Sequence, residues 1–293
     1  VMAGAARLRL AVQKTGRLSE KSLDIIADCG ISFGSDSRLL KEHARNFPLE
    51  FLFVRDDDIP AYVRNGVADI GIVGRNELDE RCPDSLDIIR DLGFAQCRLS
   101  VAVPRDFVYE GLQSLEGKRI ATSYPNILSR ILKEKGVKAT PCVLSGSVEI
   151  APAAGIADAI CDLVSSGTTL LMNGLKEVEP IYSSSAVMVA RRGFMNEPSE
   201  QRDVLQRLLL RIDSVMRAKV FKYIMFNLPE SQVQSVSTLV GGMKSPTVTP
   251  LMEKGWVSMQ SVVAEDVFWD IFEKLREYGA QGILVTPIEK LTE

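Results

Sequence analysis

The chain has a single histidine, His43, among its 293 residues. A multi-histidine metal site is thereby excluded, and any His-dependent triad would have to use this one residue. His43 sits between charged neighbours in Leu39–Arg45, which points to a surface or structural role. Cysteines are also few. Cys29, Cys82, Cys97, Cys142 and Cys161 are odd in number and contain no Cys-x-x-Cys pair. Neither a zinc ribbon nor a disulfide framework is indicated, and a reducing, cytoplasmic setting fits. No apolar run approaches the length of a membrane span, so no membrane association is expected. Val1 to Ala6 lack a long apolar core, and no signal peptide is expected there. Positive charge is not in excess either: the net charge is −3. No global basic field would attract nucleic acid. An anionic ligand would have to be held by local Arg, Lys and backbone groups.

What is present is ordinary in bulk and informative in places. Apolar residues make up 46% and charged residues 25%, the balance of a soluble globular protein. The length suits two or three domains. The most informative stretch runs from Glu149 to Leu170. Its middle, Ala157–Val164, is an apolar strand carrying Asp158 and Asp162, and it ends in the small polar loop Ser165-Ser166-Gly167-Thr168-Thr169. A strand, a hydroxyl-rich turn and a helix start form a corner where backbone N–H groups and a helix dipole can hold phosphate. Carboxylates beside such a corner are poor anion binders. They serve as acceptors for sugar hydroxyls, or hold a metal carried on the ligand's phosphates. The stretch therefore reads as a site for a phosphorylated sugar. Asp162 abuts the loop, whereas Asp158 lies further back and reads as structural.

Around this stretch, strands alternate with helices. Arg7–Val12 is a strand leading through Gln13–Arg17 into a helix, with Ser19 as its N-cap, Leu23, Ile26 and Ala27 as its buried face, and Gly30 as its stop. The Lys14–Arg17 corner is a second anion-friendly turn, although it lacks the glycine spacing of a nucleotide P-loop. Leu49–Val54 is a strand, and the acid triplet Asp56–Asp58 is expected to cap the helix that follows. Val67–Gly74 reads as a buried strand with Asp69 inside it. Arg98–Val103, Lys118–Thr122, Lys138–Leu144 and Ala186–Ala190 are further strands, with a helix from Pro125 to Lys135 closed by Gly136. Such alternation implies parallel sheets flanked by helices. The chain can form two α/β lobes around a cleft, with Arg98–Val103 and Ala186–Ala190 as the crossings. A helix from about Ser199 follows, striped by Val204, Leu208, Ile212, Val215 and Met216. The tail then reads βαββαβ, the ferredoxin-like split unit, a small regulatory or assembly module.

Together these segments resemble the long form of the ATP phosphoribosyltransferase family. The resemblance rests on Gln13–Leu18, Arg55–Pro60, Gly66–Gly74, Lys118–Pro125, Gly146–Pro152, Ala157–Leu170, Ser245–Thr247 and Ile283–Lys290, in that order along nearly the whole chain. Arg75 and Ala153 depart from the family pattern, where many members carry an acid and some an arginine. The resemblance implies a two-lobed catalytic part like type II periplasmic binding proteins: lobe I from residues 1–100 and 185–221, lobe II from 101–184. A ferredoxin-like, histidine-binding regulatory domain spans 222–293. The implied reaction joins ATP to 5-phosphoribosyl 1-pyrophosphate (PRPP), with Mg²⁺, giving phosphoribosyl-ATP and pyrophosphate. Histidine inhibition and homo-oligomers, dimers and hexamers, are implied too.

Adenine N1 carries no proton to remove, and pyrophosphate leaves as an ionised group, so this chemistry needs no strong base. That accords with the near absence of histidine. Catalysis falls to Glu149, Asp162 and Arg17. PRPP binding is assigned to Asp162, Leu163, Val164, Ser165, Ser166, Gly167, Thr168 and Thr169, with the 5′-phosphate on the loop from Ser165 to Thr169. Glu149 and Asp162 accept ribose hydroxyls or hold the Mg²⁺ shell. No direct protein ligation of the metal is assigned, since the ion rides mainly on the pyrophosphate. Lys14, Gly16, Arg17, Asp69 and Asp91 are candidates for ATP contacts. Met243, Ser245, Thr247 and Val262, with Asn227 as a polar partner, are candidates for the effector histidine. The alternative is a cleft-type solute-binding protein without catalysis, which leaves Glu149 and Asp162 beside the loop unexplained.

Overall fold

A computed structural model of the protein describes residues 7–34, 39–81 and 84–292. Cys82 and Val1 to Ala6 lie outside the described residues. In chain order the first lobe carries β1 (Leu8–Gln13), α1 (Arg17–Asp28), β2 (Lys41–His43), β3 (Leu49–Val54), α2 (Ile59–Arg64), β4 (Ile70–Gly74), α3 (Arg75–Arg81) and β5 (Leu86–Asp91). The second carries β6 (Cys97–Pro104), β7 (Arg119–Thr122), α4 (Pro125–Lys135), β8 (Thr140–Val143), β9 (Ala159–Val164), α5 (Thr168–Met172) and β10 (Leu175–Ser184). β11 (Ala186–Arg191) and the long helix α6 (Glu200–Lys219) follow.

The first sheet has the order β2-β3-β1-β4-β11-β5 and the second β10-β6-β9-β7-β8. The two correspond strand for strand. β3-β1-β4-β11-β5 matches β8-β7-β9-β6-β10 in order and in sense: three parallel strands, a fourth antiparallel to them, and a fifth antiparallel to the fourth. The fourth strand of each set is the one reached by crossing between lobes. β11 enters the first sheet after the chain has completed the second, and β6 enters the second directly after β5. These are the strands expected to carry the crossings. The crossing segments hold each other: Leu92 N donates to Ala186 O and Ala186 N to Phe94 O. Gly93 and Ala95 there both adopt positive φ, at 68° and 51°. For alanine that conformation is uncommon.

The cores follow from the sheet pleat. β11 is buried along Ala186–Ala190, as a strand covered on both faces must be. α4 turns Ile127, Leu128, Ile131 and Leu132 onto Leu99, Val101, Ile120 and Ala159 of the second sheet. Each such side chain contributes about 1.5–3 kcal/mol on full burial.

Three local expectations are corrected. α1 begins at Arg17, so Ser19 is a buried residue inside the helix and not its N-cap. Gly16, at φ 102°, makes the turn that starts the helix early, and Gly16 O accepts from Glu20 N. The buried face is accordingly Ser19, Ser22, Ile25 and Ile26, with Ala27 exposed. The acid triplet forms a 3-10 turn, and no side-chain hydrogen bond caps it or α2. Asp57 instead pairs with Arg55 at 3.2 Å and with Arg81 at 3.7 Å. β4 starts at Ile70, after Asp69, whose carboxylate is taken by Arg9.

By contact density the chain divides into two compact units. One holds Ile31–Leu205 and the chain up to Ala27; the other holds Asp28–Gly30 and Gln206–Glu293. The second unit contains β12 (Phe221–Pro229), α7 (Val233–Val240), β13 (Thr247–Pro250), β14 (Trp256–Ala264), α8 (Phe268–Glu277) and β15 (Gln281–Pro287). Its sheet order is β13-β14-β12-β15, fully antiparallel, which is the ferredoxin-like arrangement. Ile224, Phe226 and Leu228 alternate inward beneath Val236, Phe268 and Leu275. Among the described residues, no helix is long and apolar enough to cross a membrane.

Candidate active site

β9 delivers the central carboxylate. Its outer neighbours, Cys161 and Ala159, are fully buried, and Asp162 pairs in register with Ser100 of β6. The Asp162 carboxylate accepts only from its own neighbour's amide, Leu163 N, at 2.8 Å among the bonds seen here. Burial pushes its carboxyl above the usual aspartate range, and the nearby Glu149 charge pushes the same way. Glu149 comes from a 3-10 turn, Val148–Ile150, entered through Ser147 at φ 52°. A non-glycine residue in the left-handed region is a strained position of the kind found at functional sites. The structure therefore brings Glu149 near enough for its charge to act on Asp162.

The loop Ser165–Gly167 leads into α5. Gly167 is left-handed at φ 77°, a conformation that an L side chain rarely adopts. Ser166 and Thr168 hydroxyls lie 3.2 Å apart. The first turn of α5 offers Thr168 and Thr169 at a helix start, where N–H groups have no intrahelical partner. Beneath the loop, Arg98 grips Glu177 with two bonds of 2.5 and 2.6 Å and reaches Ser165 O at 3.4 Å. Ser100 donates to the same carboxylate at 2.7 Å. Arg98 holds the Glu177 carboxyl below its ordinary range. Its charge is thus compensated on the side facing the loop.

Across the cleft, the turn after β1 presents Lys14, Thr15 and Gly16, all exposed, with Arg17 opening α1. Lys14 and Thr15 line a cavity of about 630 Å³ together with Arg55, Asp56 and Tyr62. Arg55 and Asp56 also line a second cavity of about 920 Å³, which extends to Arg64, Arg81, Tyr124 and Asp162. Arg55, Asp56 and Asp58 line both, so the cavity at the Lys14 corner adjoins the one that reaches Asp162.

Two other candidates lie elsewhere. Asp69 sits at the opposite, N-terminal ends of the strands, bound to Arg9 by its backbone N–H at 2.8 Å and by its guanidinium at 2.7 Å. Asp91 lies at the crossing between lobes, where it accepts from Gly93 N at 3.0 Å and Ser185 Oγ at 3.2 Å. It lines a cavity of about 490 Å³ with Arg75 and Arg98. Sequence reasoning missed Arg55, Arg64 and Arg81 as the cations of the cleft. The signal for Arg55 was its position against the acid triplet. Arg64 and Arg81 stand on helices with no local motif.

In the tail unit, Met243, Ser245, Thr247 and Val262 converge on one pocket of about 640 Å³ with Tyr223 and Ser261. Ser261 Oγ is buried there without a hydrogen-bond partner. Asn227 is not among the residues lining this pocket. It pairs with Ser258 and Gln281, and Tyr223 pairs with Val262, about 13 Å away along β12. Among the described residues, no group of three or more His, Cys, Asp or Glu side chains could hold a metal ion by itself.

With this geometry in place, comparison with known proteins is informative. The family profile described as ATP phosphoribosyltransferase matches residues 55–214. The profile described as HisG, C-terminal domain, matches residues 218–290. An ATP phosphoribosyltransferase from Cytophaga hutchinsonii is 54% identical over 286 residues, covering 98% of this chain and 99% of the relative. One from Parabacteroides distasonis is 49% identical over 284 residues, covering 97% and 99%. Among solved structures, an ATP phosphoribosyl transferase (HisG:HisZ) complex from Thermotoga maritima aligns with a TM-score of 0.58 at 30% identity, covering 70% of this chain and 98% of that one. Profile, identity and fold agree, and the chain belongs to the ATP phosphoribosyltransferase family.

Proposed function

We propose that the chain transfers the 5-phosphoribosyl group of PRPP to N1 of ATP, releasing pyrophosphate, as the first step of histidine biosynthesis. One juxtaposition carries the reading: Asp162, on β9 just ahead of the hydroxyl-rich left-handed loop and within reach of the Glu149 charge, lines the same cavity as Arg55 and Arg81. In this reading Ser165–Thr169 hold the 5′-phosphate through backbone N–H groups and hydroxyls. Asp162 and Glu149 accept the ribose hydroxyls, and their negative charge favours the positive charge that develops on the ribose as the bond to pyrophosphate breaks.

Adenine N1 supplies the electron pair for the new bond to C1, and pyrophosphate departs with the pair of the old one. No proton moves at that step. Orientation of the two substrates can supply roughly 7–11 kcal/mol. Lys14 and Arg17, joined by Arg55, face the pyrophosphate or the triphosphate from lobe I. A bound Mg²⁺ would supply positive charge to the pyrophosphate leaving group, and Glu149 and Asp162 are the side chains that would help to hold it there. Asp91 remains a candidate for adenine or ribose. Asp69 is left out, because Arg9 already occupies it.

We assign the tail pocket to histidine as an inhibitor. The unpartnered Ser261 hydroxyl and the exposed Thr247 offer polar partners for a small amphoteric ligand. Assembly into dimers and hexamers, measured by light scattering with and without histidine, belongs to the same reading. The decisive experiment mixes the protein with ATP, PRPP and Mg²⁺ and follows the absorbance of phosphoribosyl-ATP. Product that declines on adding histidine is the expected result. No product sinks the catalytic assignment, and product indifferent to histidine sinks the regulatory one.

A further inference from the structure

α3 belongs to the first lobe by sequence, yet Asn76, Glu77, Asp79 and Glu80 on it all bond to the second. Asn76 exchanges bonds with Ser184: Asn76 N donates to Ser184 Oγ at 3.1 Å, and Ser184 Oγ to Asn76 Oδ1 at 2.7 Å. Tyr124 donates to Glu77 Oε1 at 3.0 Å, and Tyr182 to Asp79 Oδ2 at 2.6 Å. One turn further on, Glu80 accepts from Asn126 N at 3.0 Å and from Ile127 N at 2.9 Å. The Asn126 side chain returns a bond to Glu80 O at 3.1 Å. Glu80 and Glu77 are each 7% exposed.

The Glu80 carboxylate therefore occupies the first turn of α4, which has no side-chain cap of its own. An anion there answers both the unpaired N–H groups and the helix dipole. Here the anion comes from the other lobe. The crossing segments between the lobes, with Gly93 and Ala95 at positive φ, lie at one end of α3, where Arg75 N donates to Ser185 O. Glu80 lies at the other end, on the wall of the cleft. A bond at the far end of this lever resists opening more than one at the crossing.

We propose that Glu80 is an interlobe brace, a positioning residue whose carboxylate caps α4 in trans and holds the cleft at its working width. The effect on turnover rests on the cleft being where phosphoribosyl transfer takes place; the brace itself does not. Removing it leaves the reacting groups intact but lowers the fraction of molecules in the competent arrangement. Apparent affinity falls in proportion to that fraction.

The test is Glu80→Gln in the full chain, which keeps size and one acceptor while setting an NH₂ group against a backbone N–H. Three results are expected. Hydrogen exchange accelerates in the peptide containing Asn126 and Ile127. The substrate-free protein becomes more extended by small-angle scattering. KM for both substrates rises about tenfold, with kcat changing much less. Tyr124→Phe, which removes the bond to Glu77, should accelerate the same exchange to a smaller degree and serves if Glu80→Gln folds poorly. Unchanged exchange at Asn126–Ile127 in folded Glu80→Gln overturns the brace. So does a fall in kcat at constant KM, which would place Glu80 in the chemistry. If the wild-type protein makes no phosphoribosyl-ATP, exchange and scattering still decide the brace, and the two failures remain distinguishable.

Discussion

The two ends of the parallel strands are built on opposite principles, and both lobes follow the same plan. At the N-terminal end of the first sheet, Arg9 N donates to Asp69 at 2.8 Å and Asp69 N returns a bond to Arg9 O at 2.9 Å, with the guanidinium closing on the carboxylate. At the matching place in the second sheet, Arg119 N donates to Asp158 at 2.8 Å and Asp158 N to Arg119 O at 2.8 Å, again with the guanidinium alongside. Each is an arginine at a strand start paired with an aspartate just before the neighbouring parallel strand. At the C-terminal ends this self-sufficiency stops. Lys14 and Arg17 are exposed, and Asp162 is buried with the Glu149 charge acting on it. Charges satisfied within the protein hold sheets together; charges left uncompensated await a ligand. That is the general placement of sites in open α/β sheets, outside the carboxyl ends of the strands.

The comparison is broken or sharpened most strongly at Asp162. Replacing it with Asn should lower turnover by roughly 10²–10³, the scale on which a preorganised electrostatic contact acts. It should also stabilise the fold at neutral pH. The folded carboxyl is raised by burial, so its favourable contribution is complete only below the unfolded value and is lost as pH rises through the folded one. The gain in Tm of Asp162→Asn should therefore be present at pH 7 and vanish in acid. A variant less stable than wild type at pH 7 would mean that Asp162 is satisfied within the protein after all. Next in size, Gly167→Val should weaken PRPP binding at least about tenfold by calorimetry, because the left-handed turn at φ 77° cannot be kept without strain. Unchanged affinity in folded protein would remove the loop from the phosphate site.

How much of this was legible in the sequence follows the same division. Local chemistry was readable: Gly136 ends α4 in the left-handed conformation at φ 69° as its position announced, and the tail formed its βαββαβ order. The Ser165–Thr169 loop stands where an apolar strand meets small hydroxyl residues. Long-range pairing was not readable. Asp69 looked like a ligand-facing acid because nothing near it in sequence reveals Arg9, 60 positions away. Glu80 and Asn126 stand on helices whose local patterns are ordinary, and only the docking of α3 on α4 gives them a role. The start of α1 was misplaced because Ser19 is an attractive N-cap in isolation, whereas the Gly16 turn determined the first helical residue.

The smallest expected effects test the quiet end of the comparison. Asp69→Asn should cost about 1–2 kcal/mol of stability, since its carboxylate is 11% exposed and accepts bonds from both backbone and guanidinium. Asp158→Asn should cost less than about 1 kcal/mol, because that carboxylate is 36% exposed and its arginine 48%. Arg119 holds the Asp158 carboxyl below its ordinary range, through the backbone N–H first and the guanidinium second. Its stabilising contribution is therefore present above the unfolded value and is lost as pH falls through the folded one, opposite in sign to Asp162. Thermal unfolding of the two variants from pH 3 to pH 7 should separate them: the Asp158→Asn deficit closes in acid, while the Asp162→Asn advantage disappears there. Neither Asp69→Asn nor Asp158→Asn should change KM for ATP or PRPP. A rise in KM for ATP in Asp69→Asn would return that residue to the substrate site, and the contrast between the two strand ends would fail in the first lobe.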